Sequence, residues 1–124
     1  MLPEVEPKPL VWIGSSRKDI QEFPEEVTDE MGYALFLAQC GKRHRKTKVL
    51  KGAGDAGVLE TVSDFRGDTF RTVYTVRFAS AVYVLHAFQK ESKTGIATPK
   101  NEMRLIEQRL REAERLYRES GHAN

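Results

Sequence analysis

The chain has 124 residues but only one cysteine, one tryptophan and three histidines. A lone Cys40 excludes an internal disulfide and a multi-cysteine zinc site. Cys40 and His44 stand one helical turn apart, yet two ligands do not make a zinc site. His44, His86 and His122 are too scattered for a metal cluster. No apolar run approaches the ~20 residues that span a bilayer, and the start, Met1-Leu2-Pro3-Glu4-Val5, lacks the pattern of a secretion signal. The glycines at 52, 54 and 57 are not followed by the Gly-Lys-Ser/Thr of a phosphate-binding loop, and no nucleophile elbow is found. These absences lead us to expect a small soluble protein of the cytoplasm, with no metal, no cofactor and no membrane partner.

What is present is an ordinary globular mixture, 40% hydrophobic and 31% charged. The length suits one domain, which should bury roughly two-thirds of its unfolded surface. Residues 1–9 read as an extended tail, 10–118 as the single domain and 119–124 as a second tail. The net charge of +2 divides unevenly. Residues 1–41 hold eight acids and three bases, whereas residues 42–124 hold ten acids and seventeen bases. Six bases and no acid fall between Lys42 and Lys51: Lys42, Arg43, Arg45, Lys46, Lys48 and Lys51. A stretch of this kind suits a phosphate-rich partner, because each cation that meets a phosphate releases a condensed counterion.

The pattern of the chain gives a small α+β domain. Leu10-Val11-Trp12-Ile13 reads as a first strand ended by Gly14. Ser16 and Asp19 have the spacing of a helix-capping pair. Pro24 opens a second helix whose apolar stripe is Phe23, Val27, Met31, Ala34, Leu35 and Ala38, stopped by Gly41. Three strands follow as an antiparallel meander, Val58 to Phe65, Thr69 to Phe78 and Ala81 to Lys90. Strict alternation puts Arg71, Val73, Thr75 and Arg77 on one face of the middle strand. It sets Tyr83, Leu85, Ala87 and Gln89 of the last strand against Val82, Val84, His86, Phe88 and Lys90. Thr98 and Pro99 read as cap and first turn of a final helix to about Tyr117, with Met103, Ile106, Leu110 and Ala113 inward. Its Glu/Arg-rich outer face, Arg109 included, reads as solvated and salt-bridged.

The candidate chemistry is cationic. Arg66, Arg71, Lys90, Lys93 and Lys51, with Phe88 as an exposed aromatic, suit a phosphodiester with stacked bases. RNA cleavage requires that a 2′-OH be held in line with its own 3′-phosphate and that the developing phosphorane charge be stabilised. Planar, permanently charged guanidinium groups do this without a metal. His86 and Glu60 are the candidate proton-transfer groups, although Glu60 would equally pair with Arg71.

Two stretches resemble a known family. Lys48-Val49-Leu50-Lys51-Gly52, Val58-Leu59-Glu60-Thr61-Val62 and Phe70-Arg71-Thr72-Val73-Tyr74 occur in the order found in the RelE/ParE superfamily of type II toxins. Val84-Leu85-His86-Ala87-Phe88-Gln89-Lys90, with Lys93-Thr94 and Thr98-Pro99 beyond, is similar to the signature of its HigB-like branch. The chain departs from that signature in Glu91, in the residues inserted before Pro99 and in lacking a C-terminal His-Tyr pair. The resemblance implies a RelE-like fold, a small antiparallel sheet packed against two N-terminal helices and a C-terminal helix. It implies a toxin that cuts mRNA on the ribosome to a 5′-hydroxyl end and is neutralised by a cognate helix-turn-helix (Xre/HigA-like) antitoxin, with no direct DNA binding expected of the toxin alone. By position, Arg71 and Lys90 would lead the site, supported by Arg66, Lys51 and Lys93, and the 42–48 stretch would hold ribosomal RNA, with Arg77 and Phe88 adding contacts. Two other readings stay open: a ParE-like inhibitor of DNA gyrase, and an RNA-binding module without catalysis.

Overall fold

The structure, a computed structural model, describes residues 6–54, 57–91 and 98–121. Its elements are β1 (Leu10–Trp12), α1 (Ser16–Gln21), α2 (Glu25–Gln39), β2 (Thr47–Val49), β3 (Val58–Phe65), β4 (Asp68–Thr75), β5 (Val82–Glu91) and α3 (Lys100–Glu119). The expected α+β class holds, and the sheet has five strands in the order β1-β5-β4-β3-β2. The meander β3-β4-β5 is antiparallel, as its alternation implies. Two short strands widen it. β1 joins β5 in parallel, and β2, inside the stretch read as a basic loop, pairs antiparallel with β3.

The sheet separates two cores. On one face Ile20, Leu35 and Ala38 from α1 and α2 pack on Leu59, Tyr74, Val82, Val84 and Ala87, and Val27 and Met31 pack on Phe70. On the other face Ile106 and Ala113 of α3 meet Val58, Val73, Tyr83 and Leu85. Ile106 is fully buried, so Ile106→Ala should cost about 3 kcal/mol.

Several local details differ from the sequence reading for identifiable reasons. Ser15, not Ser16, pairs with Asp19, its Oγ donating to Oδ2 over 2.8 Å. Ser16 instead donates to the Val84 carbonyl and pins α1 to β5. Gly41 does terminate α2, and the Lys42 amide returns to the Leu37 carbonyl at 2.7 Å. Lys8, assigned to a tail, is tied to the end of α2 by bonds in both directions with Gln39. β4 stops at Thr75 because the Thr75 hydroxyl takes the Arg77 amide at 3.1 Å, turning the chain out of the ladder. Thr98 is not the cap of α3. Pro99 occupies that position, without a side-chain bond to the free amides.

The most consequential difference is in β5. Val73 lies opposite His86, but Tyr74 lies opposite Val84, which leaves Leu85 as an extra residue, a β-bulge. Val82 and Val84 therefore join Ala87 on the α1/α2 side, while Leu85, His86 and Phe88 all lie on the α3 side. Strict alternation put Val82 and Val84 with His86 and put Ala87 with Leu85. The bulge reverses both assignments.

Candidate functional site

Residues paired directly across a sheet project to the same side, so the register defines the α3-side face. One row is Lys48, Glu60, Val73 and His86; the next is Val62, Arg71 and Phe88; the third is Asp64, Thr69 and Lys90. The sheet thus brings together Arg71, Lys90, Glu60, His86, Phe88 and Lys48 of the sequence candidates. Lys51 adjoins them across a cavity of about 570 Å³, whose lining includes Lys48, Lys51, Glu60, Thr98 and Met103.

Arg71 and Glu60 form the centre. Both are buried, at 5% and 2% exposure, and Arg71 Nη1 donates to Glu60 Oε1 over 2.9 Å. Lys48 Nζ approaches the same oxygen at 3.7 Å from a largely exposed position. Neither Arg71 Nε nor Glu60 Oε2 has a hydrogen-bond partner among the described residues. A buried charged pair normally has its remaining donors and acceptors satisfied, since each bare one costs about 1–3 kcal/mol. This pair keeps one donor and one acceptor unused. Lys90, one pair further along the strands, is pushed below the usual lysine range by burial and by the neighbouring Arg71 guanidinium, against the opposing pull of Glu60.

His86 lies on this face, but both ring nitrogens are engaged. Nε2 lies 2.7 Å from Glu102 Oε1, and Nδ1 lies 3.3 Å from Arg109 Nη1. A guanidinium only donates, so Nδ1 accepts and the proton sits on Nε2, given to Glu102. Arg109 also donates to the bulged Leu85 carbonyl at 3.0 Å and to Ser15 Oγ at 3.2 Å. Gly14 makes room for it, since a Cβ there would lie 2.8 Å from the guanidinium and its φ of +57° already disfavours a side chain. Arg109, read as part of the outer face of α3, is therefore an inward residue locking α3 to β5 and α1. Its signal was available: it follows buried Ile106 by three residues and precedes buried Ala113 by four, on the inward face. Glu102, the partner of His86, carried a similar signal, since it precedes buried Ile106 by four residues and Arg109 by seven.

Other candidates lie elsewhere. Phe88 is only 7% exposed and stacked on His86 at 4.9 Å, so it is a wall of the site and not an exposed platform for bases. Arg66 sits at the β3–β4 hairpin tip with φ +53°, followed by Gly67 at +86°, the backbone of a tight two-residue turn. Its guanidinium lies 5.2 Å from the Phe65 ring. Phe65 packs beside Val27, Met31 and Phe70, on the face opposite Arg71, so Arg66 does not join the cluster. Arg77 lies beyond the end of β4, over Phe78 at 5.4 Å.

The basic stretch splits in two. Lys46 pairs with Glu30 of α2 at 3.0 Å, and His44 is buried against Tyr33, its Nδ1 accepting from the Lys46 amide at 3.0 Å. Lys42, Arg43 and Arg45 remain exposed beside these anchors, while Lys48 crosses to the Arg71 face. Lys93 lies outside the described residues. Among the described residues no group of three or more metal-ligating side chains occurs, and no helix is long and apolar enough to cross a membrane.

The family model described as "Phage derived protein Gp49-like (DUF891)" matches residues 18–111, which span most of the chain and include the whole Arg71–Glu60–Lys90 face. The chain belongs to the Gp49-like family. Among solved structures, this Gp49-like chain is similar to the toxin-antitoxin complex RelBE2 from Mycobacterium tuberculosis. That match has 16% identity and a TM-score of 0.47, covering 72% of this chain and 98% of the other. It is also similar to a mutant of the E. coli toxin RelE in the free state, at 19% identity and a TM-score of 0.47, with 66% of this chain and 82% of the other covered. Comparison with curated proteins finds no match.

Proposed function

We propose that this Gp49-like protein is the toxin of a type II toxin-antitoxin system, a ribosome-dependent endoribonuclease that cuts mRNA in the cytoplasm. The observation that carries the reading is the convergence of Arg71, Lys90 and Lys48 about Glu60 on one face of the sheet, with Arg71 Nε unused. The stretches that resemble the HigB-like signature fall on the strands that build this face, which supports the reading.

In this mechanism the ribose 2′-hydroxyl loses its proton to solvent water, its oxygen attacks the adjacent phosphorus, and the bond to the 5′-oxygen breaks. The products are a 2′,3′-cyclic phosphate and a 5′-hydroxyl. Arg71, held in place by Glu60, donates to the phosphorane oxygens. The lowered pKa of Lys90 makes its ammonium a better acid, suited to protonating the leaving 5′-oxygen. Glu60 is held by two cations, which makes it an anchor for Arg71. Lys48 and Lys51, with exposed Lys42, Arg43 and Arg45, bind the flanking phosphates and ribosomal RNA. The partner that silences the toxin is a cognate helix-turn-helix antitoxin.

The decisive experiment is mapping of mRNA 5′ ends after brief induction. New 5′-hydroxyl ends within translated codons, absent when the RNA is supplied without ribosomes, are the expected result. Cutting of free RNA would refute ribosome dependence. Growth arrest with DNA damage and intact mRNA would replace this reading by gyrase inhibition.

A further inference from the structure

The cavity beside Glu60 has a composition that phosphate binding alone does not explain. It lies between the Lys48–Gly52 segment and the first turns of α3, and it combines apolar Val49, Leu50 and Met103 with Lys48, Lys51 and Glu60. Its volume of about 570 Å³ is in the range of small-ligand sites, and an apolar slot with a few fixed polar groups is the usual form of such a site. Phosphates are held at the rim by exposed cations, here Lys48 and Lys51. A planar aromatic ring, by contrast, suits apolar walls.

The polar group in the wall is specific. Glu60 Oε1 is taken by Arg71 and approached by Lys48, whereas Oε2 is buried and accepts from nothing among the described residues. A bare carboxylate oxygen needs N–H or O–H donors. We infer that this cavity is a nucleobase slot, in which Glu60 Oε2 accepts from the N–H edge of a base next to the scissile phosphate. This deepens the endoribonuclease reading and rests on it. Guanine fits best, because its N1–H and N2–H₂ present neighbouring donors to one carboxylate. Adenine and cytosine offer a single amino group, as in carboxylate recognition of the cytosine N4 amine. Uracil flanks its one N–H with two carbonyls, which a carboxylate repels. Lys48, more than half exposed, swings to the phosphate as the base enters and uncovers the carboxylate.

The test uses the intact protein and the four free ribonucleoside 5′-monophosphates, with inorganic phosphate as the control. Binding is followed by NMR of the Val49, Leu50 and Met103 methyl groups. GMP should shift these methyls and bind about ten-fold more tightly than UMP, the discrimination expected of a well-placed carboxylate contact. Phosphate should leave the methyls in place. Glu60→Gln, which keeps an acceptor for Arg71 but adds an amide donor, should reduce the GMP preference to about two-fold. Met103→Trp should fill the slot and abolish the methyl shifts, so the inference stays testable should Glu60→Gln fail to fold. Equal affinity for the four nucleotides, or shifts that map elsewhere, overturns the slot. Cleavage mapping separates the two readings. A chain that cuts mRNA without regard to base keeps the nuclease and loses the slot, whereas one that binds GMP at these methyls but cuts nothing keeps the slot and loses the nuclease.

Discussion

Glu30 and Glu60 lie on opposite sides of the same sheet, and each is surrounded by cations and polar groups, yet the two sites are built differently. Burial pushes the Glu30 carboxyl up, but the Ser63 hydroxyl, the Lys46 ammonium and His44 outweigh it and hold the carboxyl below its ordinary value. Glu60 is nearly inaccessible and anchors the Arg71 guanidinium while leaving an oxygen and a guanidinium nitrogen without partners among the described residues. Glu30 fastens β2 and β3 to α2. The Glu60 pair keeps hydrogen-bonding capacity in reserve, which a purely structural pair would not retain. Unused capacity in a buried ion pair therefore separates the two sites better than the number of cations around each.

That comparison can be broken at several points. The largest effect belongs to Arg71→Lys, which keeps a charge near Glu60 but loses the planar fork. Ribosome-dependent cleavage should fall on the order of 100-fold, with far-UV circular dichroism unchanged. Retained cleavage would remove Arg71 from the chemistry. Next comes stability. Glu60→Ala strands a buried guanidinium and should cost about 3–5 kcal/mol in urea unfolding. Glu30→Ala, at a site one-quarter exposed, should cost about 1 kcal/mol. Equal losses would end the distinction.

A third test is acid unfolding. The folded-state pKa of Glu30 lies below its ordinary 4.5, so its contribution is complete above that value and is lost as pH falls through the depressed pKa. Glu30→Gln should be less stable than the parent near neutrality and should approach it at the acid end of a urea-midpoint series. Arg66→Asn should have a smaller effect still. Asparagine tolerates the left-handed turn backbone, and a guanidinium over Phe65 is remote from the Arg71 face, so cleavage should stay within about two-fold of the parent. The smallest change is expected from Arg115→Ala. That arginine bridges Glu112 and Glu119 on the exposed surface of α3, and the melting temperature should not move measurably.

The longer elements were legible because their patterns were unambiguous. The β3–β4 hairpin has clean alternation around Arg66-Gly67, and α3 carries its apolar residues at three- and four-residue steps. The pairing of Glu60 with Arg71 followed from that hairpin. β2 was hidden because a three-residue strand inside a run of lysines has no room for a period. The faces of β5 were misread for a different reason. Val82-Tyr83-Val84-Leu85 is apolar throughout, so nothing in the residue types reveals an added residue. Phe88 was misplaced as an exposed ring because its cover comes from His86, which is itself held by Glu102 and Arg109 from a helix far along the chain. Tertiary contacts of that separation leave no local trace.

The bulge at Leu85 also governs how the protein can vary. Upstream of it, even-numbered positions of β5 belong to the α1/α2 core; downstream, even-numbered positions belong to the cationic face and odd-numbered ones to the core. One strand thus carries two opposite rules for which substitutions it accepts. Losing a single residue at the bulge would bring the strand back to uniform alternation. Val82, Val84 and Lys90 would all keep their present sides. What would go is the Leu85 side chain in the α3 core together with the carbonyl that Arg109 holds, so the bulge is kept for the docking of α3 and not for the placing of the two halves.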